Sequence, residues 1–444
     1  MTYLSRVIAR SSQIISNSSF DSHLRSQADS RRISIYIRSV ESGRGAERVA
    51  INVARGLAQL GHRVDFLVEE DGDWLTSELL AHCPDIDVIN LRGSGREAVL
   101  DRLIRIGAFA LHLLAAPRSF LASRDAGIGP VARVLCKHRP PIGALLRYLE
   151  ETQPRALLSF LNYPNAVVLL TTRLHSGRTR FVVSVRNQMS VAAANNESKW
   201  VRSVPGLMRS LLYRADAVIV PSQGVAADVS AITGLPRERI AVIYNPVFRP
   251  ELEALAQQPI DHPWLQGDGC PVVMGSGKFK MQKDFPTLLR AFAVVRARRP
   301  ARLILLGEGE DEAQLLALAA DLSIARDVDF PGHVRNPFAY YHRASVFVLS
   351  SQWEGLPNAL IEAMACGCPV VSTDCPSGPH EILQGGLYGA LVPVGSADAL
   401  ASAILDTLAN PPASRQLVER ARQFSLERAV PQFEAVLTGG ATPT

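Results

Sequence analysis

The chain has 444 residues, 47% of them hydrophobic and 20% charged, with Lys+Arg 47 against Asp+Glu 42. That length is too great for one hydrophobic core and predicts two domains of roughly 200 residues each. The composition is that of an ordinary, mildly basic globular protein, and no uncharged apolar run of 18 residues occurs, which excludes a predicted membrane-spanning helix.

Residues Met1 to Arg32 are Ser-rich and lack the apolar stretch of a signal peptide, so 1–32 is expected to be a disordered or loosely helical leader. The six cysteines, Cys83, Cys136, Cys270, Cys366, Cys368 and Cys375, suggest no disulfide framework. Cys366, Cys368 and Cys375 lack a fourth ligand at zinc spacing, and cysteine is also a common small buried residue. Zinc at these cysteines is not expected, and a reduced, cytoplasmic compartment is.

The first strand is predicted at Ile33–Val40. A glycine loop follows, then a helix over Glu47–Leu60 with Val49, Val53, Leu57 and Leu60 as its apolar positions, stopped by Gly61. A strand at Arg63–Val68 completes a Rossmann-type opening. The dinucleotide fingerprint is incomplete, because Arg48 stands where its third glycine belongs. Asp71-Gly72-Asp73 after this strand resembles an Asp-x-Asp metal motif, or is a solvated loop. Asp85-Ile86-Asp87 and Asp327-Val328-Asp329 precede apolar runs instead of following them.

From Arg96 to Arg139 eight Lys and Arg face three acids, a net of +5 interleaved with Leu, Ile and Phe. Such a stretch either lies on an anionic membrane surface or packs one face on the sheet and leaves its basic face in water. Nucleic acid is not expected as a partner, since aromatic stacking residues are scarce and no binding module is visible. Strands at Ala156–Phe160, Phe181–Val185 and Ala217–Val220 follow. Polar residues after them, Asn162 to Asn165 and Arg186-Asn187, fall at the strand ends that face a ligand crevice in parallel sheets. Residues Val247–Gly269, rich in Pro, Gln and acids, read as a linker.

The next unit opens with a strand at Val272–Gly275 and the cationic turn Ser276 to Phe285, containing Lys278 and Lys283. A strand at Arg302–Gly307 and the turn Asp329 to Val334 come next. An apolar run at Val346–Leu349 then leads into Trp353-Glu354-Gly355-Leu356-Pro357-Asn358, a short helix and a second apolar run, Pro369–Ser372. Asn358 is placed to cap that helix, and Gly367 with Pro369 ends it. Glu354 and Glu362 flank it with seven residues between them. Backbone N–H groups from Gly355 to Asn358 and the positive helix end suit an anion, and carboxylates beside an anion suit the hydroxyls of a sugar nucleotide.

The E-x7-E spacing, followed by PVV and Ser377-Gly378-Pro379-x-Glu381-Ile382-Leu383, resembles the retaining glycosyltransferases of family four, and the resemblance covers most of the chain. It implies an α/β GT-B fold, two Rossmann-like domains facing across a cleft. The corresponding spans are 33–246 for acceptor binding, a 247–269 linker, 270–425 for the nucleotide sugar, and a closing helix within 426–444 that crosses back to the first domain. It implies metal-free transfer of a hexose or N-acetylhexosamine from a nucleotide-diphosphate sugar, UDP-sugar favoured, to a glycan or lipid-linked glycan in bacterial polysaccharide synthesis. Lys283 and Lys278 would stabilise the departing diphosphate, Lys278 standing where the family has Arg and losing its bidentate fork. Glu354 would lie by the donor sugar and Glu362 on the ribose, with Gly277, Gly355, Leu356, Pro357, Asn358, His333 and Val334 around the donor. Gly45, Glu47, Arg186 and Asn187 would line the acceptor side, and Arg44 replaces the first glycine of the family's GGAERV loop. Glu381 would cap the following helix or touch the donor. The rival readings are a sugar-nucleotide epimerase of the same fold and a non-catalytic nucleotide-sugar-binding partner subunit. A peripheral position on the inner face of the cell membrane, through 96–139, is a further expectation.

Overall fold

A computed structural model describes residues 31–39, 45–70, 86–92, 104–105, 107–108, 131, 134–135, 140–196, 198–267 and 269–440. The leader before residue 31, Arg44, Asp71, Asp73, Asp85, Cys83, Cys136 and nearly all of 96–139 lie outside them, with the expectations made for them.

The first sheet contains β1 (Arg32–Tyr36), β2 (Arg63–Val68), β3 (Asp87–Asn90), β4 (Ala156–Phe160), β5 (Arg180–Ser184), β6 (Ala217–Val220) and β7 (Ile240–Val242). Its order is β3-β2-β1-β4-β5-β6-β7, the doubly wound arrangement in which the order reverses beside β1. The second sheet contains β8 (Val272–Ser276), β9 (Arg302–Leu306), β10 (Val328–Gly332), β11 (Val346–Leu349), β12 (Val370–Thr373) and β13 (Ala390–Val392). Its order is β10-β9-β8-β11-β12-β13, and the pairings of both sheets are parallel throughout. Strands such as β1 and β4 are continuous apolar runs because helices cover both faces, and every residue of each is buried. Two apolar clusters flank each sheet.

Six helices position the crevice: α1 (Gly45–Gln59), α2 (Gln223–Thr233), α3 (Glu251–Gln257), α4 (Phe285–Arg298), α5 (Asn358–Ala365) and α6 (Leu426–Thr438). Val49, Val53 and Leu57 line the buried face of α1. Leu60, expected on that face, lies beyond the helix and is 48% exposed, since the chain turns at the left-handed Gly61. The first strand also ends sooner than expected, at Tyr36, and Ser39 keeps only an isolated bridge to Glu70.

Two further features connect the halves. The stretch 247–269, expected as a linker, is packed structure: α3 buries Leu252 and Ala256 one turn apart, and Val247 and Leu265 join them in the second sheet's core. Polarity of composition hid this apolar stripe. Past residue 425 the chain returns to the first sheet, where α6 buries Leu426, Ala429, Val430, Phe433, Val436 and Leu437 beside α1.

Candidate active site between the two sheets

The loop after β8 carries three lysines. Gly277 has φ +148°, and a Cβ there would lie 2.9 Å from Lys283 Cε, so the lysine stem runs along bare backbone. Lys283 Nζ then donates to Glu354 Oε1 at 2.7 Å, and Ser351 Oγ donates to the same oxygen at 2.7 Å. Three more bonds stitch this loop to the one after β11: Ser350 Oγ to the Lys283 carbonyl at 2.7 Å, Gln282 Nε2 to the Trp353 carbonyl at 2.8 Å, and Gln352 N–H to the Gln282 carbonyl at 2.8 Å. Glu354 is only 6% exposed, so its charge depends on the Lys283 partner.

Sequence reasoning passed over Lys280. Burial lowers its pKa first, the Lys283 and Lys278 cations lower it further, and Glu354 and Glu310 partly offset this. The signal was present in the alternation Lys278-Phe279-Lys280. Phe279 is fully buried, edge-on to Phe285 and Phe330, so its two neighbours leave the core together.

Glu362 lies on α5, 5% exposed, and its Oε1 meets Arg48 Nη2 of α1 at 3.1 Å. The Arg48 guanidinium also stacks on Phe338 at 5.7 Å. Asn358 does not cap α5 as expected: Pro357 holds the cap position and Asn358 is the first helical residue. Freed from capping, its side chain accepts from Asn245 Nδ2 at 2.5 Å and donates to the Gly45 carbonyl at 3.2 Å, joining α5 to the start of α1. Asn245 Nδ2 also reaches the Leu356 carbonyl at 3.3 Å. Glu47, in the first turn of α1, is buried.

Across the crevice, Arg186 and Asn187 follow β5 and press on Gly355. A Cβ on Gly355 would lie 2.0 Å from the Arg186 carbonyl oxygen, so glycine is required for the two loops to touch. Ser222 and Ser377 share the Gly355 carbonyl, donating at 2.8 and 2.9 Å. Glu381 does not cap the following helix. Its carboxylate accepts from the Gln223 and Gly224 N–H groups at 2.9 and 3.2 Å and from Tyr244 Oη at 3.1 Å, holding the start of α2 in the other half. His333 and Val334 stand farther out, after β10. The exposed His333 donates its N–H to Glu308 Oε1 at 3.2 Å, and the Glu308 carbonyl accepts from Phe279 N–H at 2.9 Å.

Asp87, Asp327 and Asp329 are taken by Arg63, Arg296 and His262 at 3.2, 2.7 and 2.9 Å. Among the described residues no group of three or more His, Cys, Asp or Glu could hold a metal ion. Cys366, Cys368 and Cys375 are free and buried, and burial raises the thiol pKa of each.

Residues 43–248 match the family described as Glycosyltransferase Family 4, and residues 259–424 match Glycosyl transferases group 1. The chain belongs to these glycosyltransferases. Relatives include the Campylobacter jejuni N-acetylgalactosamine-N,N'-diacetylbacillosaminyl-diphospho-undecaprenol 4-alpha-N-acetylgalactosaminyltransferase, 30% identical over 54% of this chain and 63% of its own length. LpsE of Rhizobium meliloti, a lipopolysaccharide core biosynthesis glycosyltransferase, is 35% identical over 49% of this chain and 63% of its own. The chain thus spans a little under two thirds of these curated relatives. In fold, this family-4 glycosyltransferase is similar to Anabaena HepE, solved in complex with UDP, at TM-score 0.64 and 17% identity, covering 92% of this chain and 100% of that one. WaaG, a glycosyltransferase involved in lipopolysaccharide biosynthesis, gives TM-score 0.63 at 15% identity over 92% of this chain and 100% of that one. Two Rossmann-like sheets opposed across a crevice are the GT-B arrangement.

Among the described residues of this glycosyltransferase, no helix is long and apolar enough to cross a membrane.

Proposed function

We propose that the protein transfers a hexose or N-acetylhexosamine from a nucleotide-diphosphate sugar, UDP-sugar foremost, to a glycan or lipid-linked glycan, with retention of configuration and no essential metal. The observation that carries this reading is the Lys283–Glu354 contact at 2.7 Å beside the start of α5, with Lys278 and Lys280 in the same loop. A diphosphate placed there meets three ammonium groups and the positive end of a helix, the charge that a departing nucleoside diphosphate requires. Glu362, set farther along α5 with one oxygen on Arg48, presents its other oxygen to ribose hydroxyls. Glu354, gripped by Lys283 and Ser351, presents its second oxygen to the donor sugar.

In the step itself the sugar C1–O bond to the β-phosphate breaks as C1 bonds to the acceptor oxygen on the same face. The acceptor proton passes to the leaving phosphate, so no protein nucleophile is needed. The names of two relatives, one transferring to a diphospho-undecaprenol glycan and one a glycosyltransferase of lipopolysaccharide core biosynthesis, support a lipid-linked acceptor, and a peripheral place at the inner face of the membrane is proposed with it.

Thermal unfolding in EDTA with UDP, GDP, ADP and their sugars, for wild type and Glu362→Ala, tests the donor site. A ligand at about 100 times its dissociation constant adds roughly 2.7 kcal/mol. Stabilisation by the uridine series alone, lost in Glu362→Ala, is expected. No stabilisation by any nucleotide without metal overturns the reading. The anomeric configuration of the product, read by NMR, decides retention.

A further inference from the structure

Arg186 is a half-buried cation that meets no counter-charge among the described residues. Its Nη1 donates to Ser184 Oγ at 3.2 Å and its Nη2 donates to Asn245 Oδ1, while the guanidinium lies over the Phe160 ring at 5.7 Å. All three neighbours are uncharged, and among the described residues no carboxylate forms an ion pair with it. Burial alone pulls its pKa down to about 9. An enclosed guanidinium in this state is costly to the fold unless an anion completes it. Part of the residue still meets solvent, which leaves a way in.

The place where this charge sits gives the anion its chemistry. Asn245 touches Arg186 on one side and Asn358 and the Leu356 carbonyl on the other, so one side chain separates the guanidinium from the start of α5, where Asn358 in turn reaches Gly45 at the start of α1. Both helix ends present N–H groups and positive dipoles, and a planar guanidinium matches phosphate oxygens. The loop of three lysines belongs to the other wall of the crevice, on the second sheet.

We infer that Arg186, positioned by Asn245, is a phosphate-binding residue on the first sheet's side of the crevice. It would take a phosphate of the acceptor in addition to the donor diphosphate held by the lysines. This rests on the reading of the crevice as a sugar-transfer site, and the donor's own diphosphate is the other source of the same chemistry.

Titration calorimetry of the full chain with inorganic pyrophosphate, alone and with saturating UDP, tests it on wild type, Arg186→Gln and Arg186→Lys. Pyrophosphate is expected to bind wild type in both conditions, at least tenfold more weakly to Arg186→Gln, with partial recovery in Arg186→Lys. Binding that survives UDP assigns the phosphate to the acceptor. If UDP abolishes it and Arg186→Gln weakens UDP by the same factor, the site stands as a phosphate site and the donor supplies the phosphate. Equal pyrophosphate affinity for wild type and Arg186→Gln overturns the inference. The melting temperature of ligand-free Arg186→Gln is expected to equal or exceed that of wild type, and a fall with unchanged pyrophosphate affinity makes Arg186 a structural hydrogen-bond donor. A wild type that binds pyrophosphate through Arg186 but no nucleotide refutes the donor reading without touching this one.

Discussion

Arg48 of α1 meets Glu362 of α5 at 3.1 Å, so the first half of the chain holds a carboxylate of the second, the one proposed to bind the nucleotide. An ion pair on one carboxylate oxygen fixes the direction of the other, and Phe338 under the guanidinium keeps Arg48 from swinging away. Glu362→Ala is expected to weaken UDP binding by about 1.5–3 kcal/mol, the worth of a hydrogen bond to a charged group. Arg48→Gln, which leaves the carboxylate present but untethered, is expected to weaken it less, by roughly 1 kcal/mol, with Arg48→Lys between wild type and Arg48→Gln. Calorimetry with UDP reads all three. Tighter binding by Arg48→Gln would mean that the ion pair competes with the nucleotide.

Lys283→Met separates charge neutralisation from stability. Glu354 would remain almost enclosed, with Ser351 as its one remaining side-chain partner among the described residues, which costs about 3 kcal/mol. Turnover is expected to fall about 10²–10³-fold, as when one electrostatic donor to a developing charge is removed. The double variant Lys283→Met/Glu354→Gln is expected to recover much of the melting temperature and none of the turnover, because it cures the orphaned carboxylate without restoring a cation.

The opening of the first Rossmann unit and the Glu354–Glu362 stretch were legible because apolar runs and punctuating glycines are local signals. Lys283 and Glu354 could be nominated separately from the sequence. Their contact could not, since it joins residues 71 apart through a fold that must exist first. Asn358 failed as a cap for the same reason: it is a good local capping residue, but a partner in the other half competes for its side chain and wins, and the Glu381 carboxylate is likewise held by the start of α2. Arg48 looked like a broken glycine fingerprint and is a cross-crevice contact. In 247–269 a polar composition concealed Leu252 and Ala256, spaced one turn apart, a pattern visible only at single-residue resolution.

Gly355→Ala is a test of how closely the halves must meet. The added methyl falls 2.0 Å from the Arg186 carbonyl oxygen and 2.9 Å from its carbonyl carbon, which are main-chain atoms with nowhere to rotate. Overpacking of this kind costs about 1–3 kcal/mol, and here the strain is relieved by parting the two loops. Turnover is therefore expected to drop much more than UDP affinity, because the lysine loop and α5 belong to the same sheet and move as one. A fall in UDP affinity as large as the fall in turnover would show that the strain instead deforms the donor loop around Glu354.

Lys280 predicts opposite pH trends for the empty and the loaded protein. Its pKa in the folded chain is lowered from the ordinary 10.5, first by burial and then by the Lys283 cation. Between that lowered value and 10.5 the unfolded chain binds more protons than the folded one, so this residue's contribution to stability rises as pH rises through the window. Below the window both states are protonated and the folded one bears the full cost of a charged, crowded lysine. A bound diphosphate reverses the balance: it favours the ammonium form, raises the Lys280 pKa and draws in a proton. Melting of the nucleotide-free protein should thus gain from Lys280 at alkaline pH while UDP affinity declines. Calorimetry in two buffers of different ionisation enthalpy should show net proton uptake on UDP binding in that range. Lys280→Met is expected to abolish the uptake and flatten the alkaline part of the stability curve. Unaltered uptake in that variant would place the titrating group elsewhere and remove Lys280 from the diphosphate site.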